Sequence, residues 1–277
     1  MPGAADFSVR FWGVRGSIAC PGPATVRYGG NTSCLEVRCG ARRLILDAGT
    51  GLRALGNELL QEGPLDIDLM FTHTHFDHVN GLPFFTPMFM KRNTFHLWAG
   101  HLKPQYTLKY VLGEMMLAPL FPVPLEVFQA KIHYHDFAAG ETLNPRPGVS
   151  LRTAPLNHPN KATAYRIDHA GKSICYCTDT EHFPDRLDQN IIDLARGADI
   201  LIYDATYTDG EYGKFKGWGH STWQAGADLC DAADVKTYVI FHHDPSHDDE
   251  FMDRVAAEAA ARRPGSLVAR EGMVLTP

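Results

Sequence analysis

The sequence predicts an α/β (α+β) fold in which two mixed β-sheets pack face to face with helices on both outer sides, an αββα sandwich. Two observations support this prediction. Strand-like segments are concentrated in two halves of the chain, and each half is followed by segments with helical spacing. The 277 residues contain no internal repeat, low-complexity tract or linker, so we expect one domain over residues 1–277.

The first half begins with short apolar segments separated by Gly, Pro and Asn turns, a pattern typical of strands. Strands are predicted over residues 7–12, 33–38, 43–46 and 66–71. Regularly spaced leucines predict a helix over 52–61, between the third and fourth of these strands.

Residues 82–130 are rich in aromatic residues, Met and Pro, and contain one predicted helix over 104–117. We interpret this stretch as an insertion that forms a lid or a dimer contact. Its candidates for lining a substrate pocket are Phe84, Phe85, Met88, Phe89 and Trp98. Residues of this kind more often belong to the core.

The second half returns to strand-like segments, predicted over 131–137, 149–154, 162–168 and 172–177. Strands and helices then alternate over 191–196, 200–203, 222–232, 237–241, 250–262 and 267–269. Ser221 and Thr222 are both candidates for the N-cap of the helix over 222–232. Cys175 and Cys177 lie two apart in an apolar run, so we expect both thiols on one side of a strand.

The composition is that of an ordinary globular protein, with 44% hydrophobic and 21% charged residues. A core of this size needs no metal for folding, so a metal site here is expected to be functional. The formal net charge of −6 weighs against an extended nucleic-acid surface.

The compartment is predicted to be the cytoplasm. The first residues lack a basic start followed by an apolar stretch, and no apolar run approaches the ~18 residues of a membrane span. None of the six cysteines forms a C-x-x-C pair, so buried thiols in a reducing compartment explain them best. We therefore expect a soluble protein without a membrane partner.

A cluster of metal-binding residue types follows the predicted strand over 66–71. His73, His75, Asp77 and His78 supply imidazoles and a carboxylate within six residues, the groups that zinc, manganese or iron(II) prefer. His73 and His75 alternate along an extended chain and therefore point the same way. A chance cluster on a polar loop is improbable at this spacing.

Four ligands do not complete two metal sites, so further ligands must come from elsewhere in the chain. Ligand-type residues again follow apolar strands or precede a helix, at His158, Asp179, Asp204, His220 and His242. A single histidine at any of these positions would more often be structural. Five such positions beside the first cluster favour a dinuclear centre of two divalent ions, with Zn²⁺ expected and Mn²⁺ or Fe²⁺ as alternatives.

The series from His73 to His242 resembles the five-motif signature of the metallo-β-lactamase fold superfamily, over about residues 7–247. The closer resemblance is to its phosphodiesterase branch, which includes ribonuclease Z, PhnP-type and cyclic-nucleotide phosphodiesterase-like proteins. The segments that carry it are Tyr28-Gly-Gly-Asn-Thr-Ser-Cys34, Leu46-Asp-Ala-Gly-Thr-Gly51, Cys177-Thr-Asp-Thr180, Asp204-Ala-Thr-Tyr207 and Gly219-His-Ser-Thr222.

The resemblance implies a role for each ligand. His73, His75 and His158 would bind the first ion. Asp77, His78 and His242 would bind the second, and Asp179 would bridge both ions. His243 is an alternative to His242.

The implied catalytic residues are Asp77, His220 and Asp204. His220 matches the branch's histidine that contacts the phosphate without binding metal. In ribonuclease Z a glutamate supports that histidine, whereas here the matching residue is Asp204, which is one methylene shorter.

Residues near two glycine-rich turns are further candidates. Asn31 and Thr32, beside Gly29 and Gly30, are predicted to bind a substrate phosphate, although tight turns alone also explain these glycines. Asp47 is a candidate for orienting a ligand histidine, and Asp68 and Asp244 are weaker candidates for the same role.

The resemblance and the residues together predict a phosphodiesterase that cleaves a cyclic nucleotide or another small cyclic phosphate diester with a metal-bound hydroxide. The alternatives are an RNA-processing nuclease of the ribonuclease Z kind and a hydrolase of carbon esters, thioesters or lactones. Nucleic acid is the less favoured partner, and a homodimer is an open possibility. A non-enzymatic metal-binding module is the least favoured interpretation.

Overall fold

The computed structural model describes residues 7–277. Two seven-stranded sheets are present among them. The first contains β1 (Phe7–Gly13), β2 (Cys34–Cys39), β3 (Arg42–Leu46), β4 (Asp66–Phe71), β5 (Thr94–Ala99), β6 (Lys131–Asp136) and β14 (Val274–Leu275). The second contains β7 (Thr142–Arg146), β8 (Val149–Leu156), β9 (Ala162–His169), β10 (Lys172–Cys177), β11 (Ile200–Asp204), β12 (Thr237–Phe241) and β13 (Leu267–Val268).

Both sheets are mixed. The strand order in the first is β14-β1-β2-β3-β4-β5-β6, antiparallel up to β3 and parallel from β3 onwards. The order in the second is β13-β12-β11-β10-β9-β8-β7, parallel up to β10 and antiparallel from there. Parallel strands end at the same edge of a sheet, so the loops after β4, β11 and β12 collect polar side chains at one edge of the sandwich.

Helices flank the two sheets, and the longer ones cover the outer faces. They are α1 (Gly51–Leu59), α2 (Phe76–Val79), α3 (Leu108–Met115), α4 (Gln189–Ala195), α5 (Asp209–Tyr212), α6 (Trp223–Ala232) and α7 (Asp249–Arg262). One apolar cluster fills the space between the sheets, a second lies between the first sheet and α1 and α3, and a third lies between the second sheet and α4, α6 and α7. This is the predicted αββα sandwich, and the fold prediction is confirmed.

Most predicted elements are present with small shifts at their ends. The strands over 66–71, 172–177 and 237–241 have the predicted bounds. Cys175 and Cys177 lie in the same apolar cluster, as their spacing predicts. The N-cap of α6 is Thr222, whose hydroxyl accepts a hydrogen bond from the amide of Ala225.

Residues 82–130 differ from the prediction, because they are not wholly an insertion. They contain β5, which pairs with β4 on one side and β6 on the other and therefore belongs to the sheet. The helix in this stretch is also shorter than predicted and begins after Thr107, whose hydroxyl accepts from the amide of Tyr110. Strand β7 was not predicted from the sequence either. It contains Pro145, which an edge strand tolerates because it has no partner on one side.

No helix in the part of the chain from residue 7 onwards combines the length and apolarity needed to cross a membrane.

Candidate metal centre

Seven predicted ligands converge at one edge of the sandwich, in two groups. His73, His75 and His158 present one ligand atom each, all within 4.8 Å of one another. Asp77, His78, Asp179 and His242 do the same in a second group. These residues follow four different strands, so the fold brings together side chains that are far apart in the sequence.

Asp179 lies between the two groups and presents one oxygen to each. Its Oδ2 is 3.7 Å from His73 Nε2 and 3.9 Å from His158 Nε2. Its Oδ1 is 3.3 Å from His78 Nε2 and 3.2 Å from His242 Nε2. A carboxylate with this placement fits the bridging position between two cations.

Hydrogen bonds at Nδ1 fix the orientation of four histidines. The Nδ1 of His78 lies 2.9 Å from Asp47 Oδ2, and that of His158 lies 2.8 Å from the carbonyl oxygen of Gly219. The partners of His73 and His242 at Nδ1 are the hydroxyls of Thr72 and Thr206, at 3.1 and 3.0 Å. With the proton held on Nδ1, each Nε2 keeps its lone pair for a metal ion.

His75 has the opposite orientation. Its Nδ1 lies 3.0 Å from His158 Nε2, and its Nε2 points towards Asn160. Its ligand atom in the first group is therefore Nδ1, next to the Nε2 atoms of His73 and His158.

The residues fit a pair of divalent cations. Ligands about 2.1 Å from a tetrahedral ion lie about 3.4 Å apart, and the contacts between Asp77, His78 and His242 in the second group measure 3.3 to 3.4 Å. The Nε2 of His73 is buried yet has no hydrogen-bond partner, which a metal bond would explain.

The electrostatics of the centre agree with this fit. Burial lowers the pKa of His73 well below its ordinary value, and His78 adds to the effect. Burial alone would raise the pKa of Asp179, but His242, His78 and His73 hold it well below its ordinary range. Neutral imidazoles and ionised carboxylates are the forms that bind metal.

The pKa of His78 is shifted in the opposite direction to that of His73. Burial alone would lower its pKa, but Asp179, Asp77 and Asp47 raise it well above the ordinary value. A proton there would be displaced by a bound cation, so metal binding is expected to release protons.

His220 and Asp204 form a contact beside the second group. The Nδ1 of His220 lies 2.9 Å from Asp204 Oδ2, so the shorter aspartate still reaches the histidine. Burial alone would lower the pKa of His220, but Asp204 and Asp179 raise it to about 9. Asp204 also accepts from the amide of Thr180 and the hydroxyl of Thr206, so both of its oxygens already accept hydrogen bonds within the protein.

The structure places His242, and not His243, towards the centre, and it places Asp47 beside a ligand histidine. The Nε2 of His243 lies 2.8 Å from the carbonyl oxygen of Ala269, away from the centre, whereas His242 faces Asp77 and Asp179. Asp47 contacts His78, and it also accepts from the hydroxyls of Thr72 and Tyr176.

Asp68 and Asp244 do not have the orienting role considered for them. The carboxylate of Asp68 binds Trp98 and Arg146, away from the ligands. Asp244 accepts from the amide and hydroxyl of Ser246.

Asn31 and Thr32 are engaged within the protein. The amide and side chain of Asn31 bind the carboxylate of Glu271, and the hydroxyl of Thr32 accepts from the amide of Thr50. Their predicted role in substrate binding has no support from these contacts.

The five predicted pocket-lining residues also differ in placement. Phe85 and Met88 are core residues, and Trp98 packs against the core between the sheets. Phe84 and Phe89 are exposed, and of the five only Phe84 lines the apolar cavity beside the ligand loop.

Sequence reasoning missed the residues that hold the His220 loop. The carboxylate of Glu181 accepts from the amides of Gly217 and Gly219 and from the hydroxyl of Tyr212. Gly219 has a φ of +88°, and a Cβ there would lie 2.5 Å from Nδ1 of His158. The repeated glycines of Gly217-Trp-Gly219 were the signal in the sequence for such a constrained turn.

We expect Asp47→Asn to weaken the binding of the second ion about 10- to 100-fold. An amide NH₂ that donates to Nδ1 of His78 would keep the histidine proton on Nε2 and block its ligand atom. Titration with Zn²⁺ under competition from a chelator measures this affinity. Asp68→Asn is the matched control, because it also replaces a buried carboxylate on the first sheet but leaves the ligands untouched. Equal loss of affinity in both variants would refute the role of Asp47.

The sequence is similar to a known protein family and to several curated proteins. A family model described as the beta-lactamase superfamily domain matches residues 42–243. A curated relative, ribonuclease Z from Parabacteroides distasonis, is 28% identical over 167 residues, which are 60% of this chain and 47% of the relative. The chain spans less than half the length of the first curated relatives it matches, at 47%, 31% and 43%.

Solved structures share the fold over nearly the whole chain. The metallo-beta-lactamase fold protein YhfI from Bacillus subtilis has a TM-score of 0.72 at 17% identity and covers 97% of this chain and 98% of its own. The short form of human tRNase Z has a TM-score of 0.67 at 19% identity, with coverage of 98% and 99%.

Proposed function

This chain belongs to the beta-lactamase superfamily, and we propose that it is a dinuclear metal-dependent phosphodiesterase. The superfamily resemblance drawn from the sequence motifs is confirmed. The observation that carries the proposal is the position of Asp179, with one carboxylate oxygen towards each of two ligand groups.

The two ligand groups would hold two divalent ions. His73, His75 and His158 would bind one, Asp77, His78 and His242 the other, and Asp179 both. Bound divalent ions supply Lewis acidity and lower the pKa of water, the chemistry that phosphodiester hydrolysis needs near neutral pH. The amide of Ser17 donates to Asp77 Oδ2 at 2.7 Å and so restrains the direction of that carboxylate.

His220 would act directly on the substrate. Asp204 engages its Nδ1, which leaves Nε2 to donate a hydrogen bond to a phosphoryl oxygen or a proton to the leaving oxygen. Asp204 is a positioning residue, because it fixes the ring and keeps the proton on Nδ1 when His220 is neutral. Glu181 would hold the loop that carries His220 through its contacts with Gly217 and Gly219.

RNA is the first candidate substrate. The curated relatives are named ribonuclease Z, and this favours RNA over the cyclic nucleotide that the sequence ranked first. A small phosphodiester is the second candidate. It is favoured by the net charge of −6 and by the apolar cavity beside the ligand loop, which lacks charged residues.

A substrate panel tests the reaction class. We expect the metal-loaded protein to hydrolyse at least one phosphodiester of a panel that contains an RNA, a cyclic nucleotide and bis(p-nitrophenyl) phosphate. A lactone and a thioester should stay unchanged. Protein stripped of metal with a chelator is the control and should lose this activity. Turnover of the lactone or thioester with no turnover of any diester would contradict the proposal.

A further inference from the structure

An apolar cavity of about 500 Å³ lies beside the metal-binding loop. Its walls come from α2, from α3 and from the segment that follows α3, with Phe76, Val79, Val111, Met115 and Phe121 among them. Thr74 and Asn80 are its polar side chains, and no Asp, Glu, Lys, Arg or His lines it. The cavity is therefore suited to an uncharged, largely apolar group.

The cavity and the ligand cluster share the loop that ends β4. Thr74 and Phe76 line the cavity, while His75, the residue between them, belongs to the first ligand group. Within α2, Phe76 and Val79 face the cavity, whereas Asp77 and His78 face the ligands. One turn of helix thus separates the cavity from the centre, and His75 lies at their common rim.

In the two polar side chains of the cavity, the hydroxyl of Thr74 and the side-chain oxygen of Asn80 already have partners. The hydroxyl of Thr74 lies 3.1 Å from His101 Nε2, and the side chain of Asn80 lies 3.4 Å from the hydroxyl of Thr32. A nucleobase placed here would leave several of its polar edge atoms without hydrogen-bond partners, which is costly in an apolar site. An aryl ring or a short alkyl chain would lose nothing by entering.

The mouth of the cavity is apolar as well. Phe76 is 69% exposed and Leu120 is 85% exposed, and the rings of Phe84 and Phe121 pack edge to face with centroids 5.9 Å apart. Such exposed apolar residues are normally covered by a ligand or a partner. The continuity of this patch with the ligand loop favours a group carried by the substrate itself.

We infer that the cavity is a subsite for an aryl or alkyl group of a small phosphodiester substrate. This inference rests on the proposed phosphodiesterase activity and adds the chemical class of the substituent. It applies to the small phosphodiester, the second of the two candidate substrates. A volume of 500 Å³ accommodates a substituted aromatic ring.

Two substitutions test the subsite, one at an exposed residue and one at a half-buried residue that packs against the core. Leu120→Asp places a charge on the cavity wall, and Val111→Trp fills the cavity. Leu117→Asp is the matched control, because Leu117 is also an exposed leucine, at 52%, three residues away but outside the cavity.

The first measurement is kcat/KM for bis(p-nitrophenyl) phosphate and for methyl p-nitrophenyl phosphate, which share a leaving group. For each substrate, the kcat/KM of the variant is divided by the kcat/KM of the wild type, so that the intrinsic reactivity of the ester cancels. We expect Leu120→Asp and Val111→Trp to lose about tenfold more on the bis-aryl ester than on the methyl ester. Leu117→Asp should show no such difference. Equal losses on both esters, or a preference for RNA that none of the variants changes, would overturn the inference.

A second measurement separates the subsite from the activity. Calorimetric titration with p-cresol, an uncharged aryl probe, should show binding to the wild type and none to Val111→Trp. If no diester is hydrolysed but this result is obtained, the phosphodiesterase proposal fails and the apolar site stands. If p-cresol does not bind, the inference fails. It also fails if Leu120→Asp turns a dimer into a monomer without changing ester preference, because the patch would then be covered by a second copy of the chain.

Discussion

Replacing Asp179 with alanine is expected to remove both metal ions and to lower kcat/KM for a phosphodiester by about 10³-fold or more. Its two oxygens face the two ligand groups at 3.2 to 3.9 Å, so this one side chain serves both groups. The variant also leaves several buried imidazoles around a space that no longer contains the carboxylate of Asp179. Metal content by mass spectrometry and turnover should therefore fall together.

Asp199→Ala is the matched control for Asp179→Ala. Asp199 is also a buried carboxylate on the second sheet, but it binds Ser173, Lys172 and Lys236, far from the ligands. This variant is expected to lose stability and to keep both ions. Retention of two ions by Asp179→Ala would show that this residue does not bridge them.

Replacing His220 with alanine should have a different outcome, with both ions kept and kcat reduced about 10²- to 10⁴-fold. His220 approaches Asp179 no closer than 3.9 Å through an Nδ1 that Asp204 already engages, so its loss removes no ligand. The expected defect lies in kcat, because the hydrogen bond to the phosphoryl or leaving oxygen strengthens in the transition state.

His182→Ala is the control for the loop that carries His220. The Nδ1 of His182 lies 2.9 Å from the hydroxyl of Ser221, so it contacts the same loop without reaching the ligands. A small effect in His182→Ala beside a large one in His220→Ala would support direct action of His220. Loss of metal in His220→Ala, or full turnover, would remove His220 from the mechanism as proposed.

The ligands could be predicted from the sequence because each follows an apolar strand. In a sandwich, such strands are buried between a neighbouring sheet and a helix layer, and their ends then meet at one edge. The bounds of β4, β10 and β12 matched for the same reason. His242 could be chosen over His243 because it comes first after β12.

Other features depend on contacts that no local pattern encodes. The role of Asp68 was misjudged because its partner, Arg146, lies on the other sheet. β5 was missed because its alternating buried and half-buried residues include His96 and Trp98, which obscure the pattern. The cavity beside α2 is formed by two separate segments, residues 74–84 and 111–121, so only the fold reveals it.

Seven side chains are proposed to bind two cations in one shared site. The most direct test is the metal-to-protein ratio of the purified chain, stripped with a chelator and reconstituted with Zn²⁺ or Mn²⁺, measured by inductively coupled plasma mass spectrometry. We expect two ions per chain in the wild type and the loss of both ions together in Asp179→Ala. A ratio at or below one ion per chain for the wild type with either metal would contradict it.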